Sequence, residues 1–411
     1  MLKGMSVAAT TLGCKVNQAE TDSMLDMLKA AGANIVEFDE KADIYIVNTC
    51  SVTNIADKKS RQMLHRARKM NPDGIVIAAG CYVQSAREIL EQDEAIDIVI
   101  SNNKKKSITE IVNDYINVRN NGKNAPGKDH EAMEYFVDIS RETEYEEMGG
   151  HVPVGHTRAY VKIQDGCNQF CSYCIIPYVR GRIRSRSQEA ILAEVSELAE
   201  AGIKEVVLTG IHISSYGKDK NNEGALIELI EAISKIKGIK RIRLGSLEPG
   251  IITEEFVERI SSNSKVCPHF HLSLQSGCDS VLKRMNRKYT CKQYFEKCDM
   301  LRKAYKSPAL TTDVIVGFPG ETEEEFAETV RYLTELNLYE MHIFKYSPRK
   351  GTVAAAMKEQ VAPEIKNERS DVLLKLAHDN KTAYEAQFEG CELEVLVEEV
   401  VKKDNKTYLR G

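Results

Sequence analysis

The chain has 411 residues, 42% apolar and 28% charged, the balance of a soluble globular protein too long for one ordinary core. Its net charge of −5 argues against indiscriminate nucleic-acid binding by the whole surface but leaves room for local basic tracks. Runs such as Ile75–Gly80 and Ile96–Ile100 are too short to span a bilayer, and no secretion-signal pattern opens the chain, so a cytoplasmic protein is expected. Eleven cysteines, odd in number and unevenly spaced, point to metal or redox chemistry rather than a disulfide framework.

In chain order, Ser6–Thr11 reads as a strand. Asn17, with Glu20 three residues on, reads as the N-cap of a helix over Thr21–Ala31 that Gly32 ends. Strands follow at Asp43–Val47, Ile75–Ala79 and Ile96–Ile100, with a helix at Lys58–Met70. This alternation predicts a parallel sheet. Cys14, Cys50 and Cys81 each come just after a strand, and in an open α/β sheet those ends share one edge, where ligands bind. They read as a second cluster site or as three unrelated buried thiols. The segment after Ser101 reads as a helix and then an extended polar connection.

From Arg158 a second alternation runs six times. Its strands are expected at Tyr160–Gln164, Glu205–Thr209, Arg241–Gly245, His269–Leu274, Thr311–Val316 and Glu340–Phe344. Helices fill the gaps, the last opened by a capping box of Thr322 and Glu325. Six βα units predict a partial barrel with its site at the C-terminal face. Asn367–Phe388 reads as a long helix, followed by strands at Glu392–Val401 and Thr407–Leu409 around a turn at Lys402–Asn405. The fold class expected is α/β, comprising an N-terminal parallel α/β domain (1–125), a linker (126–152) and a partial (βα)6 barrel (153–365). A connecting helix (366–390) and an incomplete small β domain (391–411) complete it.

Cys167, Cys171 and Cys174 follow the first barrel strand in the spacing C-x3-C-x2-C. Three close thiolates grip one iron–sulfur cube and leave one iron open. An open iron can chelate S-adenosylmethionine and, with one electron, release a 5′-deoxyadenosyl radical. Structural zinc would need a fourth ligand from a second C-x2-C or a histidine at matching spacing, and neither is found.

The motif segment Gly166–Arg186 (G-C-N-Q-F-C-S-Y-C-I-I-P-Y-V-R-G-R-I-R-S-R) resembles the radical-SAM methylthiotransferase family. So do Thr11–Gln18 (T-L-G-C-K-V-N-Q), Asn48–Thr53 (N-T-C-S-V-T), Gly80–Cys81, Leu274–Gly277 (L-Q-S-G) and Asp313–Thr322 (D-V-I-V-G-F-P-G-E-T). The resemblance covers essentially the whole chain. It implies two 4Fe–4S clusters, the auxiliary one on Cys14, Cys50 and Cys81 and the radical-forming one on Cys167, Cys171 and Cys174. It further implies two molecules of S-adenosylmethionine per turnover and insertion of a methylthio group into a C–H bond. Partners implied are tRNA and an external electron donor, with a monomer expected. The residues around Cys14 resemble the branch acting on C2 of N6-threonylcarbamoyladenosine beside the anticodon. Isopentenyladenosine, a ribosomal protein, or a non-catalytic tRNA-binding role are the alternatives.

Arg180, Arg182, Arg184 and Arg186 would suit phosphate or a threonyl carboxylate, or form a solvated loop. Gly210, Ser246, Glu248, Gln275 and Asp313, at strand ends, are expected to hold S-adenosylmethionine, with simple structural polarity as the alternative. Lys58, Lys59, Arg61, Arg66, Arg68 and Lys69 on one helix, and Arg284, Arg287 and Lys288, are candidate tRNA contacts or solvated faces. No role is assigned to His212 or His342. Family members continue through further strands beyond the equivalent of Gly411, so weaker tRNA affinity than in a longer relative is expected.

Overall fold

In the computed structural model, residues 2–120, 135–153, 157–403 and 406–411 are described. They form two compact units. The first comprises the described residues of Met1–His151 with Gln164–Asn168 and Cys174–Arg186; the second comprises those of Val152–Ile163, Gln169–Tyr173 and Ser187–Gly411.

The first unit holds strands β1 (Ser6–Thr11), β2 (Asn34–Val36), β3 (Ile44–Thr49), β4 (Ile75–Gly80) and β5 (Ile98–Ile100) in one sheet, ordered β2-β1-β3-β4-β5. Every pairing is parallel. Helices α1 (Lys15–Ala30), α2 (Asn54–Met70), α3 (Cys81–Ser85), α4 (Arg87–Glu91) and α5 (Ile108–Asn120) connect and flank the strands. β3 and β4 are buried at every position, which is why they read as unbroken apolar runs. Alternate residues feed two cores. Ile44, Ile46 and Ile77 pack with Met24 and Leu28 of α1 and Ile111 of α5. Tyr45, Val47 and Val76 pack with Leu64 and Ala67 of α2 on the opposite face.

One local expectation is corrected. Helix α1 starts at Lys15 with Cys14 at the N-cap position, rather than at Thr21 with Asn17 as the cap. Asn17 is a buried helical residue whose amide donates to the Leu12 and Thr49 carbonyls, both at 2.9 Å. Its side chain is thus spent on the sheet edge instead of on its own helix. The three-residue β2 was too short to show a period. Residues 121–134, which include part of the expected linker, lie outside the described residues.

β6 (Arg158–Asp165) opens the second α/β repeat. At its C-terminal end, in the first unit, Gln164 and Asp165 pair antiparallel with β7 (Arg184–Ser185), reached through the short helix α6 (Ile176–Val179). In the second unit β6 neighbours β8 (Glu205–Gly210), which pairs in parallel with β9 (Arg241–Leu244). β10 (His269–His271), β11 (Ala309–Val316) and β12 (Glu340–Lys345) form a second parallel set. Isolated parallel bridges Ile242↔Val266 and Leu247↔Leu272 join the sets. The helices are α7 (Gln188–Glu200), α8 (Ala225–Ser234), α9 (Glu254–Ser261), α10 (Asp279–Arg284), α11 (Cys291–Ala304), α12 (Glu323–Leu336) and α13 (Pro363–Ala386). One continuous apolar core joins Ile163, Leu208, Ile242, Phe270, Val314 and Met341 of the six strands. The chain is therefore a parallel α/β domain followed by an open six-stranded barrel.

Thr322 caps α12 reciprocally with Glu325, as expected, and Thr290 does the same for α11 with Gln293. The C-terminal strand expected at Glu392–Val401 is displaced: β13 (Glu399–Lys403) pairs antiparallel with β14 (Lys406–Arg410), and Cys391–Glu398 forms no strand. Of the expected turn, residues 404–405 lie outside the described residues. Among the described residues no helix is long and apolar enough to cross a membrane.

Candidate functional site

Parallel pairing brings the early cysteines together. Thr49 of β3 and Gly80 of β4 are register partners, so Cys50 and Cys81 leave neighbouring strands side by side. Cys14 follows β1, the other neighbour of β3. Gly13 lies against Cys50, since a Cβ built at Gly13 would stand 2.9 Å from the Cys50 Sγ. Cys50 and Cys81 are buried; the Cys14 residue keeps an exposed face, although protein surrounds its thiol. Desolvation by the surrounding protein raises the Cys14 thiol; Arg180 opposes that rise and Cys81 adds to it. Burial, with Cys81 and Cys14 adding, pushes Cys50 up to about 11. Cys14 and Cys50 thus both feel the Cys81 thiol.

Three free thiols at one sheet edge are a donor set that an iron–sulfur cluster accepts. None of the eleven cysteines is in a disulfide. Among the described residues, only His271, Asp313 and His342 bring three ligand atoms within 4.8 Å of one another. Thiolates on one zinc stand about 3.8 Å apart, whereas thiolates on separate irons of a cube stand farther apart.

Of the second triad, Cys167 and Cys174 pack with the first unit and Cys171 with the second. Cys167 donates its backbone N–H to the Gly181 carbonyl at 3.0 Å. In the second unit the loop around Cys171 is tied to the chain after α10, with Ser172 N–H bound to the Met285 carbonyl and the Asn286 amide bound to the Phe170 carbonyl. Arg287 Nη1 donates to the Cys171 Sγ at 3.2 Å, and Nη2 donates to Glu248 Oε2 at 2.9 Å. Arg287 thus places one N–H donor on the Cys171 sulfur and another on the Glu248 carboxylate.

The five strand-end residues do not share one environment. Glu248 lines a cavity of about 440 Å³ with His212, Ser214, Gln169 and Tyr289. Burial opposes its charge, but His212 and Arg287 outweigh that and hold it below the ordinary carboxylate range. Gly210 ends β8, and Ser246 lies exposed after β9. Gln275 is buried with φ of 77° and brackets β11, its N–H on the Asp313 carbonyl and its carbonyl accepting from Ile315. Asp313 turns instead toward His271, with Oδ2 3.4 Å from Nε2. The His271 and His342 rings stack at 5.8 Å. His271 Nδ1 meets the Thr311 hydroxyl at 3.0 Å, while its buried Nε2 makes no hydrogen bond. Register explains the group, because Asp313 pairs with His342 and His271 with Thr311, two positions before Asp313 on the same sheet face.

The four arginines also differ. Arg180 is fully buried and bonded to Glu20, Asp165 and Asn17. Arg184 is buried, with Nη1 on the Arg182 carbonyl. Arg186 grips Glu147 with two nitrogens. Arg182 is exposed. Among the other basic groups, Arg287 is buried at Cys171 and is corrected from a phosphate contact to a site residue. Arg284 is held by both oxygens of Glu325. On α2, Arg66 pairs with Asp39 and Arg68 with Asp97, leaving Lys58, Lys59 and Lys69 exposed. Sequence reasoning missed His271 and misplaced Arg287, since only the barrel's register and burial single them out.

Comparison with known proteins agrees with this geometry. Residues 161–333 match the radical SAM superfamily, and residues 6–101 match Uncharacterized protein family UPF0004. The chain is 40% identical to the threonylcarbamoyladenosine tRNA methylthiotransferase MtaB of Bacillus subtilis, over 97% of this chain and 86% of that protein. It is 38% identical to the MtaB of Aquifex aeolicus, over 98% and 96%. A tRNA-2-methylthio-N(6)-dimethylallyladenosine synthase of Thermoanaerobacter pseudethanolicus is 36% identical over 96% and 82%. The solved radical S-adenosylmethionine methyltransferase TsrM from Kitasatospora setae shares the fold, with TM-score 0.58 and 14% identity over 84% of this chain and 77% of that one. The chain belongs to the tRNA methylthiotransferase family of radical SAM enzymes. S-adenosylmethionine and a 4Fe–4S cluster are therefore its cofactors.

Proposed function

We propose that the chain places a methylthio group on C2 of N6-threonylcarbamoyladenosine beside the anticodon of tRNA, using two 4Fe–4S clusters and an external electron donor. The reading of a second cluster is carried by the convergence of Cys14, Cys50 and Cys81 at one sheet edge. Cys167, Cys171 and Cys174 would hold the radical-forming cluster. With S-adenosylmethionine bound, that cluster supplies a 5′-deoxyadenosyl radical able to take hydrogen from unactivated carbon. Around it Arg287 presents donors to Cys171 and Glu248, and Glu248 lines the adjoining cavity. Gly210, Ser246 and Gln275 remain proposed S-adenosylmethionine contacts at the barrel's C-terminal face, with Asp313 shared between that role and the His271 pair. Arg182, the exposed member of its run, is proposed as the arginine that meets tRNA.

The choice of base is supported by the names of the relatives and by the chemistry of His271, Asp313 and His342. A threonylcarbamoyl group carries a carboxylate, a hydroxyl and N–H donors that such side chains can meet. A dimethylallyl group has none and offers them nothing to bond. The dimethylallyl reading keeps the support of relatives so named at similar identity. Nucleoside mass spectrometry of tRNA from a deletion strain separates the two. Loss of the methylthio form of threonylcarbamoyladenosine is expected; unchanged levels reject the proposal.

A further inference from the structure

Arg180 and Arg184 are the largest fully buried side chains among the described residues, and Arg180 has no exposed surface. Its guanidinium carries five N–H donors, and all five have partners. Nε donates to the Cys81 Sγ at 3.2 Å. Nη1 donates to Glu20 Oε1 at 2.5 Å and Asp165 Oδ2 at 3.1 Å. Nη2 donates to Asn17 Oδ1 at 2.6 Å and Glu20 Oε2 at 3.1 Å. The Cys14 Sγ lies 3.8 Å from that same Asn17 oxygen. Glu20 also receives the buried Lys105 ammonium. A fully satisfied network of this kind fixes geometry, because moving one member leaves buried charges unpaired.

The network also reaches the second triad. Asp165, gripped by Arg180, accepts the Gly166 N–H on its other oxygen at 2.8 Å. Gly181, which follows Arg180, accepts the Cys167 N–H at 3.0 Å. Gly166 has φ of 72°, and a Cβ there would overlap the Arg182 backbone, so this approach of the two segments requires glycine. Both backbone amides that set the position of Cys167 therefore hang on groups attached to, or adjoining, Arg180.

We propose that Arg180 is a positioning residue shared by the two cysteine triads. Its Nε–H holds the Cys81 sulfur for the auxiliary cluster and tunes that cluster, and its Nη1–H, through Asp165, fixes the turn that presents Cys167. The proposal rests on the reading that Cys14, Cys50 and Cys81 hold a cluster. An N–H donor on a ligand sulfur stabilises the reduced, more negative cluster and raises its potential. Lysine keeps the charge but not the planar fork.

The test uses the full chain, reconstituted anaerobically, with Cys167, Cys171 and Cys174 replaced by Ala so that only the auxiliary cluster is present. With arginine labelled by ¹⁵N, pulsed electron paramagnetic resonance of the reduced cluster is expected to show hyperfine coupling to an arginine nitrogen, and Arg180→Lys to abolish it. A redox titration of Arg180→Lys is expected to move the midpoint to a more negative potential while about four irons per chain are retained. Coupling absent from the unmutated sequence at Arg180, or a midpoint unchanged by the lysine, overturns the proposal. Reconstitution that yields no cluster at all rejects the auxiliary-cluster reading itself, and this proposal with it. The coupling measurement needs no substitution at Arg180, so it decides the matter even where Arg180→Lys does not fold.

Discussion

Arg287 bridges Cys171 and Glu248, with one nitrogen 3.2 Å from the sulfur and another 2.9 Å from the carboxylate. A third donor, Nε, meets the Tyr289 hydroxyl at 2.9 Å. Burial works against the guanidinium's charge, and the Glu248 carboxylate at 2.9 Å compensates it. One residue thus touches the cluster loop and the wall of the adjoining cavity.

Replacing it should uncouple them. Arg287→Ala is expected to lower 5′-deoxyadenosine formation about 10²-fold or more, the usual effect of removing one preorganised donor from a buried site. Arg287→Lys should recover only part of this, since lysine cannot serve three partners in one plane. Anaerobic assays with dithionite and S-adenosylmethionine give the rate. A rate within about threefold of the parent would remove Arg287 from the site.

Gly13 offers a separate test of the auxiliary triad. It has φ of 110°, and an added Cβ would lie 2.9 Å from both the Cβ and Sγ of Cys50. Gly13→Ala combines backbone strain of about 1–3 kcal/mol with a displaced ligand. Bound iron should fall from about eight per chain toward about four, while 5′-deoxyadenosine formation persists. Full iron content in the variant would show that Cys50 has room to move.

On the proposed reading, His271 and His342 set the base preference. His342→Ala, and more strongly His271→Ala, should lower kcat/KM on tRNA bearing threonylcarbamoyladenosine about 10–100-fold, the cost of one or two charged hydrogen bonds. Abortive cleavage of S-adenosylmethionine should continue. Equal loss of both reactions would assign the pair to cofactor binding.

The ion pair of Arg284 and Glu325 sets a pH-dependent contribution to stability. Arg284 leads, against desolvation, in pulling the Glu325 carboxyl from its ordinary 4.5 to about 2, with Ser280 assisting. A depressed carboxylate stabilises the folded state above its unfolded pKa, and that contribution is lost as pH falls through the folded one. Glu325→Gln is therefore expected to cost about 1–2 kcal/mol at pH 7, discounted for partial exposure. Its deficit should narrow between pH 4.5 and 2. Urea unfolding across that range checks both the size and the sign.

The strands were legible because their causes are local. Ile44–Thr49 and Ile75–Gly80 are unbroken apolar runs, and that is what a strand buried on both faces requires. The N-cap assigned to Asn17 failed for the opposite reason. Asn17 and Glu20 have the spacing of a capping pair, yet their side chains answer to Thr49 and to Arg180, the latter 160 residues from Glu20. Arg287 looked like any surface arginine beside Lys288, and only the fold shows Cys171 against it. β7, two residues long, has no period to detect. Patterns announce elements; the partners of a buried charge depend on what the chain brings back from elsewhere.

The separation of Cys14, Cys50 and Cys81, each more than thirty residues from the next, has a consequence for maturation. These thiols meet only after β1, β3 and β4 have paired, because loop-closure entropy holds them apart in the unfolded chain. Cys167, Cys171 and Cys174 sit within eight consecutive residues and meet no such barrier. On the proposed two-cluster reading, iron delivered to a nascent chain would find a competent C-x3-C-x2-C loop first, whereas the other trio would take metal only once its sheet edge has folded.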